Sequence, residues 1–268
     1  MEAQIKNLGG IIYSKYNKVN KQGEQFIREH YISLIISGTL GIIDGAQTTV
    51  FKAGEIVFLR KNNLAKFYKH PTTSQGFFEA ITILLDETTI TALSKTQQHS
   101  VIKDPIPNGA VFAVEHDNLL KGYFNSLASY FQEDITKELI AYKKQELIHL
   151  LIRKNQLFKN ILFNFEQPGK IDLESFMKKN FKFNVGLDKF AFLTGRSLAT
   201  FKRDFEKIFN LPPNRWLQQQ RLKEAYYLIS EKALKPSEVY LEVGFESMPH
   251  FSHAFKQFFG KSPSTITS

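Results

Sequence analysis

The chain is 268 residues long, enough for two domains with separate cores, and carries 35 Lys/Arg against 26 Asp/Glu, for a net charge of +9 and a pI near 9.4. Cysteine is absent, which excludes a disulfide framework, a thiolate metal site and a thiol nucleophile, and fits a reducing compartment. The opening MEAQIKNLGGIIYSKYNK has no uninterrupted apolar stretch of the signal-peptide kind, and no segment reaches the roughly 18 apolar residues of a membrane span. The expected setting is therefore cytoplasmic, without a membrane partner, and the positive balance favours a polyanionic one.

In chain order, the first elements read as strands. YISLIIS (31–37), TLGIID (39–44), QTTVF (47–51) and EIVFLR (55–60) are short, rich in β-branched and aromatic residues, and separated by Gly38, Asp44-Gly45 and Gly54. That pattern predicts a meander closing into a small, cupin-like β-barrel. Further strands are expected at 76–85 and 110–114, the latter after the turn cluster Pro105-Ile106-Pro107-Asn108-Gly109. From Asn118 the period becomes helical through Leu119, Leu120, Tyr123, Leu127 and Tyr130. A longer helix follows from about Ile135 to Arg153, with Leu139, Tyr142, Glu146, Leu147, Leu150 and Leu151. A helical hairpin packed on a barrel is the simplest architecture for this half.

The barrel has no metal-ligand pattern, since His30, His70, His99 and His116 lie at no chelating spacing and read as surface or locally hydrogen-bonded histidines. No paired carboxylates or activated nucleophile stand out, so an enzyme is not expected and neither is a cofactor. Phe26, Phe51, Phe58, Phe67, Phe77 and Phe78 leave open either an apolar ligand pocket or ordinary core filling.

Gln167-Pro168-Gly169 is the strongest breaker between two helical regions. It divides the chain into a regulatory or dimerisation domain at 1–166, with helices over about 118–165, a linker at 167–170 and an all-α domain at 171–268. Residues 1–168 hold 19 Lys/Arg and 16 Asp/Glu, whereas 169–268 hold 16 and 10. Two thirds of the excess positive charge thus falls in the shorter part, where a phosphate-contacting surface would be sought.

That part contains an internal repeat. Ser197, Phe201, Phe205, Phe209, Asn210 and Pro213 return fifty positions later as Ser247, Phe251, Phe255, Phe259, Gly260 and Pro263. The serines are suited to capping a helix N-terminus through the hydroxyl. Phenylalanines every fourth residue make an apolar stripe on one face. Asn and Gly are the residues best able to turn left-handed past a helix end, and the prolines stop its continuation. Upstream of each such helix lies a short helical segment and a glycine, Leu187–Thr194 before Gly195 and Pro236–Val243 before Gly244, giving helix, tight turn, helix twice. Small Ala191 suits the crossing of the first pair. Between the units, RWLQQQRLKEAYYLIS (215–230) predicts one long helix buried through Trp216, Leu217, Leu222, Ala225 and Leu228.

Off the stripe, the first capped helix presents Ala199, Thr200, Lys202 and Arg203, and the second Met248, Pro249, His250, Ser252 and His253. Such small and polar groups can reach base edges and phosphates, which separates this pattern from a merely duplicated helical bundle. Pro249 is harmless so near a helix start. His250 and His253, three apart, could share a metal in principle, but two ligands make a weak site.

From about Ile171 to Thr265 the sequence resembles the AraC/XylS family of bacterial transcription regulators. LDKFAFLTGRSLATFKRDFEKIFNLPPNRWLQQQRLKEA is similar to that family's first helix-turn-helix and connecting helix, and VGFESMPHFSHAFKQFFGKSP to the signature around its second. The resemblance implies sequence-specific binding of double-stranded DNA, with Ala199, Lys202 and Arg203 facing one major-groove segment and Met248, Pro249, His250 and His253 the next. Arg203 is the strongest candidate, because a guanidinium bonds guanine bidentately or clamps a phosphate. The second helix departs from the more usual basic pattern, so its readout would lean on shape. Tyr240 stands where the family has a small residue, so the second turn must repack or its first helix shift. The N-terminal barrel and hairpin are similar to the arm, barrel and dimerisation helices of many members.

A DNA-repair protein with an alkyl-accepting thiol is excluded by the lack of cysteine. The alternative class that remains is a protein-interaction module with degenerate helix-turn-helix units. A homodimer through the 135–153 helix, a small-molecule or protein effector at the N-terminal domain, and a contact to RNA polymerase are partners open to this reading. The operator, and activation as against repression, are not encoded in any motif.

Overall fold

In a computed structural model of the chain, residues 3–21, 25–45, 47–72, 76–96, 106–115 and 117–266 are described. His99, His116 and Pro105, singled out above, lie outside them. Contacts divide the chain into two compact units, Met1–Gly23 with Ile27–Glu166, and Glu24–Phe26 with Gln167–Ser268. Among the described residues no helix is long and apolar enough to cross a membrane.

Up to Leu162 the chain runs β1 (Gln4–Leu8), β2 (Ile11–Tyr16), β3 (Phe26–Ile27), β4 (His30–Ser37), β5 (Thr39–Asp44), β6 (Gln47–Lys52), β7 (Ile56–Leu59), β8 (Asn63–Leu64), β9 (Lys66–His70), β10 (Phe78–Leu85), α1 (Glu87–Thr96), β11 (Val111–Val114), α2 (Asn118–Tyr130), α3 (Lys137–Lys154) and α4 (Gln156–Leu162). The strands do not close into one barrel. They form a six-stranded sheet in the order β1-β2-β10-β4-β7-β11, a three-stranded sheet β6-β5-β9 and a two-stranded pair β3-β8. The expected meander fails at Gly38, where φ is +85° and a Cβ would stand 2.5 Å from the His70 carbonyl oxygen. There the chain leaves the large sheet at β4 and enters the small one at β5, so β4 and β5 do not pair although β1 with β2 and β5 with β6 do.

The large sheet is covered on both sides, which is why β7 reads as an unbroken apolar run. Ile56 and Phe58 face a core shared with Leu120, Tyr123, Leu127, Leu147, Leu151 and Phe158 of the helices. Val57 and Leu59 face the opposite core, with Leu40, Ile42 and Phe51 of the small sheet. Phe51, Phe58 and Phe78 are core residues of this unit, so core filling accounts for these three of the N-terminal phenylalanine set. Lys144 of α3 is buried and pairs at 2.7 Å with Asp86, which also accepts from the Thr89 amide and hydroxyl at the start of α1. His30 is buried rather than superficial. Its Nδ1 accepts from the Lys61 amide and its ring stacks on Phe58, while Nε2 has no partner. Burial, reinforced by Lys61 and Arg60, holds its pKa down to about 3.

The second unit comprises α5 (Leu173–Asn180), α6 (Leu187–Leu193), α7 (Leu198–Phe209), α8 (Pro213–Ser230), α9 (Pro236–Glu242), α10 (Met248–Phe259) and a 3-10 turn at Pro263–Thr265. Helix α8 serves two cores. Trp216 packs on Phe205 and Phe209 of α7 with ring centroids 5.5 and 4.5 Å apart. The later residues Leu222, Ala225, Leu228 and Ile229 join Val239, Val243, Phe251 and Phe255 around α9 and α10.

Candidate nucleic-acid interface

Each phenylalanine stripe does what its spacing requires. Phe201, Phe205, Phe251 and Phe255 have no solvent exposure, and successive rings along α7 and α10 lie 4.4–5.6 Å apart. Tyr226 of α8 covers Phe259 at 4.9 Å much as Trp216 covers Phe209. Turning the apolar face inward obliges the other face outward. Ala199, Lys202 and Arg203 on α7 are exposed, as are Pro249, His250 and His253 on α10, whereas Thr200, Met248 and Ser252 are half-buried.

The helix ends match the sequence at three of four points. Asn210 and Gly260 are left-handed, with φ of 53° and 76°. Ser197 caps α7, its hydroxyl accepting from the Thr200 amide at 3.3 Å while contacting the Thr200 hydroxyl at 3.0 Å. Thr200 is therefore partly engaged in the cap. Ser247 occupies the same position before α10 but makes no side-chain cap bond. Pro249 removes one of the donors of that first turn, and the backbone enters at φ −138° instead of −68°.

The two turns are close relatives of unequal length, Thr194–Ser197 against Val243–Ser247. Arg196 donates its amide to the Ala191 carbonyl at 2.9 Å, and Phe245 likewise to Tyr240 at 2.8 Å. The ring of Tyr240 thus leaves the main-chain turn intact and packs, half-buried, at the edge of the second core. Ala191 is buried at its crossing. Both turn glycines are approached by backbone: a Cβ on Gly195 would stand 2.4 Å from the Gly169 carbonyl carbon, and one on Gly244 2.7 Å from the Lys182 carbonyl oxygen.

Two arginines that the motifs did not single out hold these turns. Arg196 bonds Asp204 at 3.2 Å and the carbonyls of Ile171 and Thr194 at 3.0 and 2.7 Å. Its bond holds the Asp204 carboxyl below the usual carboxylate range, with Lys170 and Arg203 adding to the effect. Arg203 lies 3.6 Å from the same carboxylate yet remains 65% exposed, so it is oriented along α7 without being consumed. Arg221 donates to the carbonyls of Phe181 and Phe183, both at 2.8 Å. Either arginine reads in sequence as one more polar residue in a polar run; only a fold that brings orphan carbonyls to it reveals the role. Among the described residues no group of three or more His, Asp or Glu could hold a metal ion.

Comparison with known proteins agrees with this geometry. Residues 190–268 match the family described as helix-turn-helix domain, and residues 30–161 the one described as ExsA N-terminal regulatory domain. The transcriptional regulator ExsA of Pseudomonas aeruginosa is 23% identical over 250 residues, 88% of this chain and 85% of that protein. The virulence regulon transcriptional activator VirF of Yersinia enterocolitica is 28% identical over 142 residues, 52% of each chain. Among solved structures, an apo form of ToxT from Vibrio cholerae aligns over 98% of this chain and 100% of its own, with 14% identity and a TM-score of 0.49. By their names ExsA and VirF are transcriptional regulators.

Proposed function

Because the chain belongs to the AraC/XylS family and is a DNA-binding transcription regulator with an N-terminal regulatory domain, we propose that α7 and α10 enter two successive major-groove segments, about 34 Å apart on one face of the duplex. The observation that carries this reading is the paired exposure of Ala199, Lys202 and Arg203 on α7 and of Pro249, His250 and His253 on α10, each opposite a fully buried phenylalanine stripe. Arg203 reads a guanine or clamps a phosphate, and Lys202 supplies phosphate contact. Ala199 offers only a methyl-sized apolar contact. Thr200, Met248 and Ser252 sit at the margin of the surface. With a proline and two histidines in place of basic side chains, α10 reads shape more than base edges. A single chain then recognises an asymmetric site, since reading two successive segments requires no internal twofold symmetry.

The regulatory unit acts on this reader through an effector, a small molecule or a protein, and through self-association. Leu139 and Tyr142 support the second part: they are 44% and 66% exposed on α3, while Ile140, Leu147 and Leu151 of the same helix are buried in the unit's own core. The setting is the cytoplasm, where the DNA is.

Selection from a random duplex library at two salt concentrations, with full-length protein and with Arg203→Ala, tests the proposal. The expected outcome is an enriched asymmetric site of about two helical turns, weakened by salt through counterion release and relaxed in one half by the substitution. Absence of enrichment under every condition would instead favour a protein-interaction module.

A further inference from the structure

The two helix-turn-helix units have separate apolar cores on opposite halves of α8, so α8 itself is the apolar link between the two recognition helices. Polar ties between them converge on Arg221, midway along that helix. Its Nε and one terminal nitrogen donate to the Phe181 and Phe183 carbonyls, just past the end of α5. Its other side lies against the second turn, with Nε and Cζ only 2.9 and 3.1 Å from where a Cβ of Gly244 would be. Around this contact Asn184 donates to Glu246 at 3.0 Å, and Lys182 pairs with Glu224 of α8 at 2.5 Å. Asn184, Arg221, Glu246 and His250 line a cleft of about 560 Å³ that opens at the first turn of α10. Burial pulls the Arg221 pKa down to about 10, against the opposing charge of Glu246. A cation is kept there at a desolvation cost because its fork bonds the carbonyls of Phe181, the C-cap of α5, and of Phe183 in the loop that follows.

We infer that Arg221 is a positioning residue that sets the phase between α7 and α10, and with it the spacing of the two groove segments the protein accepts. The DNA part of this inference rests on the reading proposed above, whereas the conformational part does not. Arg221→Met keeps the buried alkyl stem and deletes both donors and the charge. The unfused end of the tie is also open to attack without touching the core, through Asn184→Ala combined with Glu246→Ala.

The test uses the full chain, whose lack of native cysteine permits spin labels at Lys207→Cys and Gln257→Cys, exposed positions on the last turns of α7 and α10. Electron–electron distance measurement should give one narrow distribution in the parent, a clearly broader one with Arg221→Met, and an intermediate one with the surface pair. On the selected duplex and on versions lengthened by one base pair between the halves, the parent should discriminate at least tenfold and Arg221→Met less than threefold. General destabilisation would weaken binding to both duplexes equally and leave that ratio unchanged. If Arg221→Met does not fold, the surface pair carries the measurement, with the same direction expected. Distributions and spacing ratios identical to the parent in a folded variant would overturn the inference. Should the parent enrich no duplex, the DNA reading fails and the distance distributions alone decide the role of Arg221.

Discussion

Replacing His30 with Asn should remove one defined component of acid instability. The ring is 1% exposed and neutral, with its pKa held near 3 by burial and by Lys61 and Arg60, while an unfolded histidine titrates near 6.5. Above pH 6.5 both states are neutral and His30 contributes no pH dependence. As pH falls below 6.5 the unfolded chain takes up a proton that the folded chain refuses, so stability declines until the folded pKa is reached near 3. At pH 5 the loss amounts to about 2 kcal/mol, from about 1.36 kcal/mol per pH unit. Asparagine keeps an acceptor where Nδ1 takes the Lys61 amide but does not titrate. Urea unfolding at pH 7.5 and pH 5, followed by far-UV circular dichroism, should therefore show a pH-induced loss about 2 kcal/mol smaller in His30→Asn than in the parent. Trp216, the single tryptophan, lies in the other unit, and its fluorescence should report no difference between the two proteins. Equal pH dependence in both would refute the reasoning, because it would mean that the folded chain protonates His30 without penalty.

Other substitutions separate effects that sequence alone would treat as equivalent. Gly195→Ala combines a φ of +63° with a Cβ 2.4 Å from backbone, whereas Gly260→Ala, at φ +76°, meets open space; the first should weaken DNA binding and lower the melting temperature, and the second should cost about 1 kcal/mol in thermal unfolding. Ser197→Ala should cost about 1 kcal/mol through the lost cap, and Ser247→Ala a few tenths at most, as read by paired urea titrations. Asp86→Ala leaves the buried Lys144 ammonium without its half-exposed carboxylate and should cost about 1–3 kcal/mol in urea unfolding, while Lys144→Met, which also removes the charge, should be milder. Tyr142→Glu should shift the mass measured by light scattering toward the monomer if α3 pairs with its copy, and leave it unchanged otherwise.

The repeat made the C-terminal unit legible because each of its signals is local. Phenylalanines at intervals of four can lie on one face only if the segment is helical, Asn210 and Gly260 mark ends whatever surrounds them, and the stripe that must be buried names the surface that must be exposed. The strands at 31–37, 39–44, 47–51 and 55–60 were equally readable, within a residue or so, from β-branched content and glycine punctuation. Their pairing was not, since β4 and β5 part company at Gly38, a left-handed turn packed so close to the His70 carbonyl that no side chain fits. Helices α1 and α5 and the strands β1, β2, β3, β8 and β9 escaped a reading based on clear periodicity, being short or embedded in polar sequence. What tertiary structure alone decided are the contacts of charge with backbone: the burial of His30, the Lys144–Asp86 pair, and the two arginines at the turns. A loop carbonyl beside a helix has no sequence signature, and the guanidinium that bonds it lies 25 residues away for Arg196 and Ile171 and 40 for Arg221 and Phe181. Periodicity reports what lies next to a residue along its own helix or strand; only the folded chain reports what lies across from it.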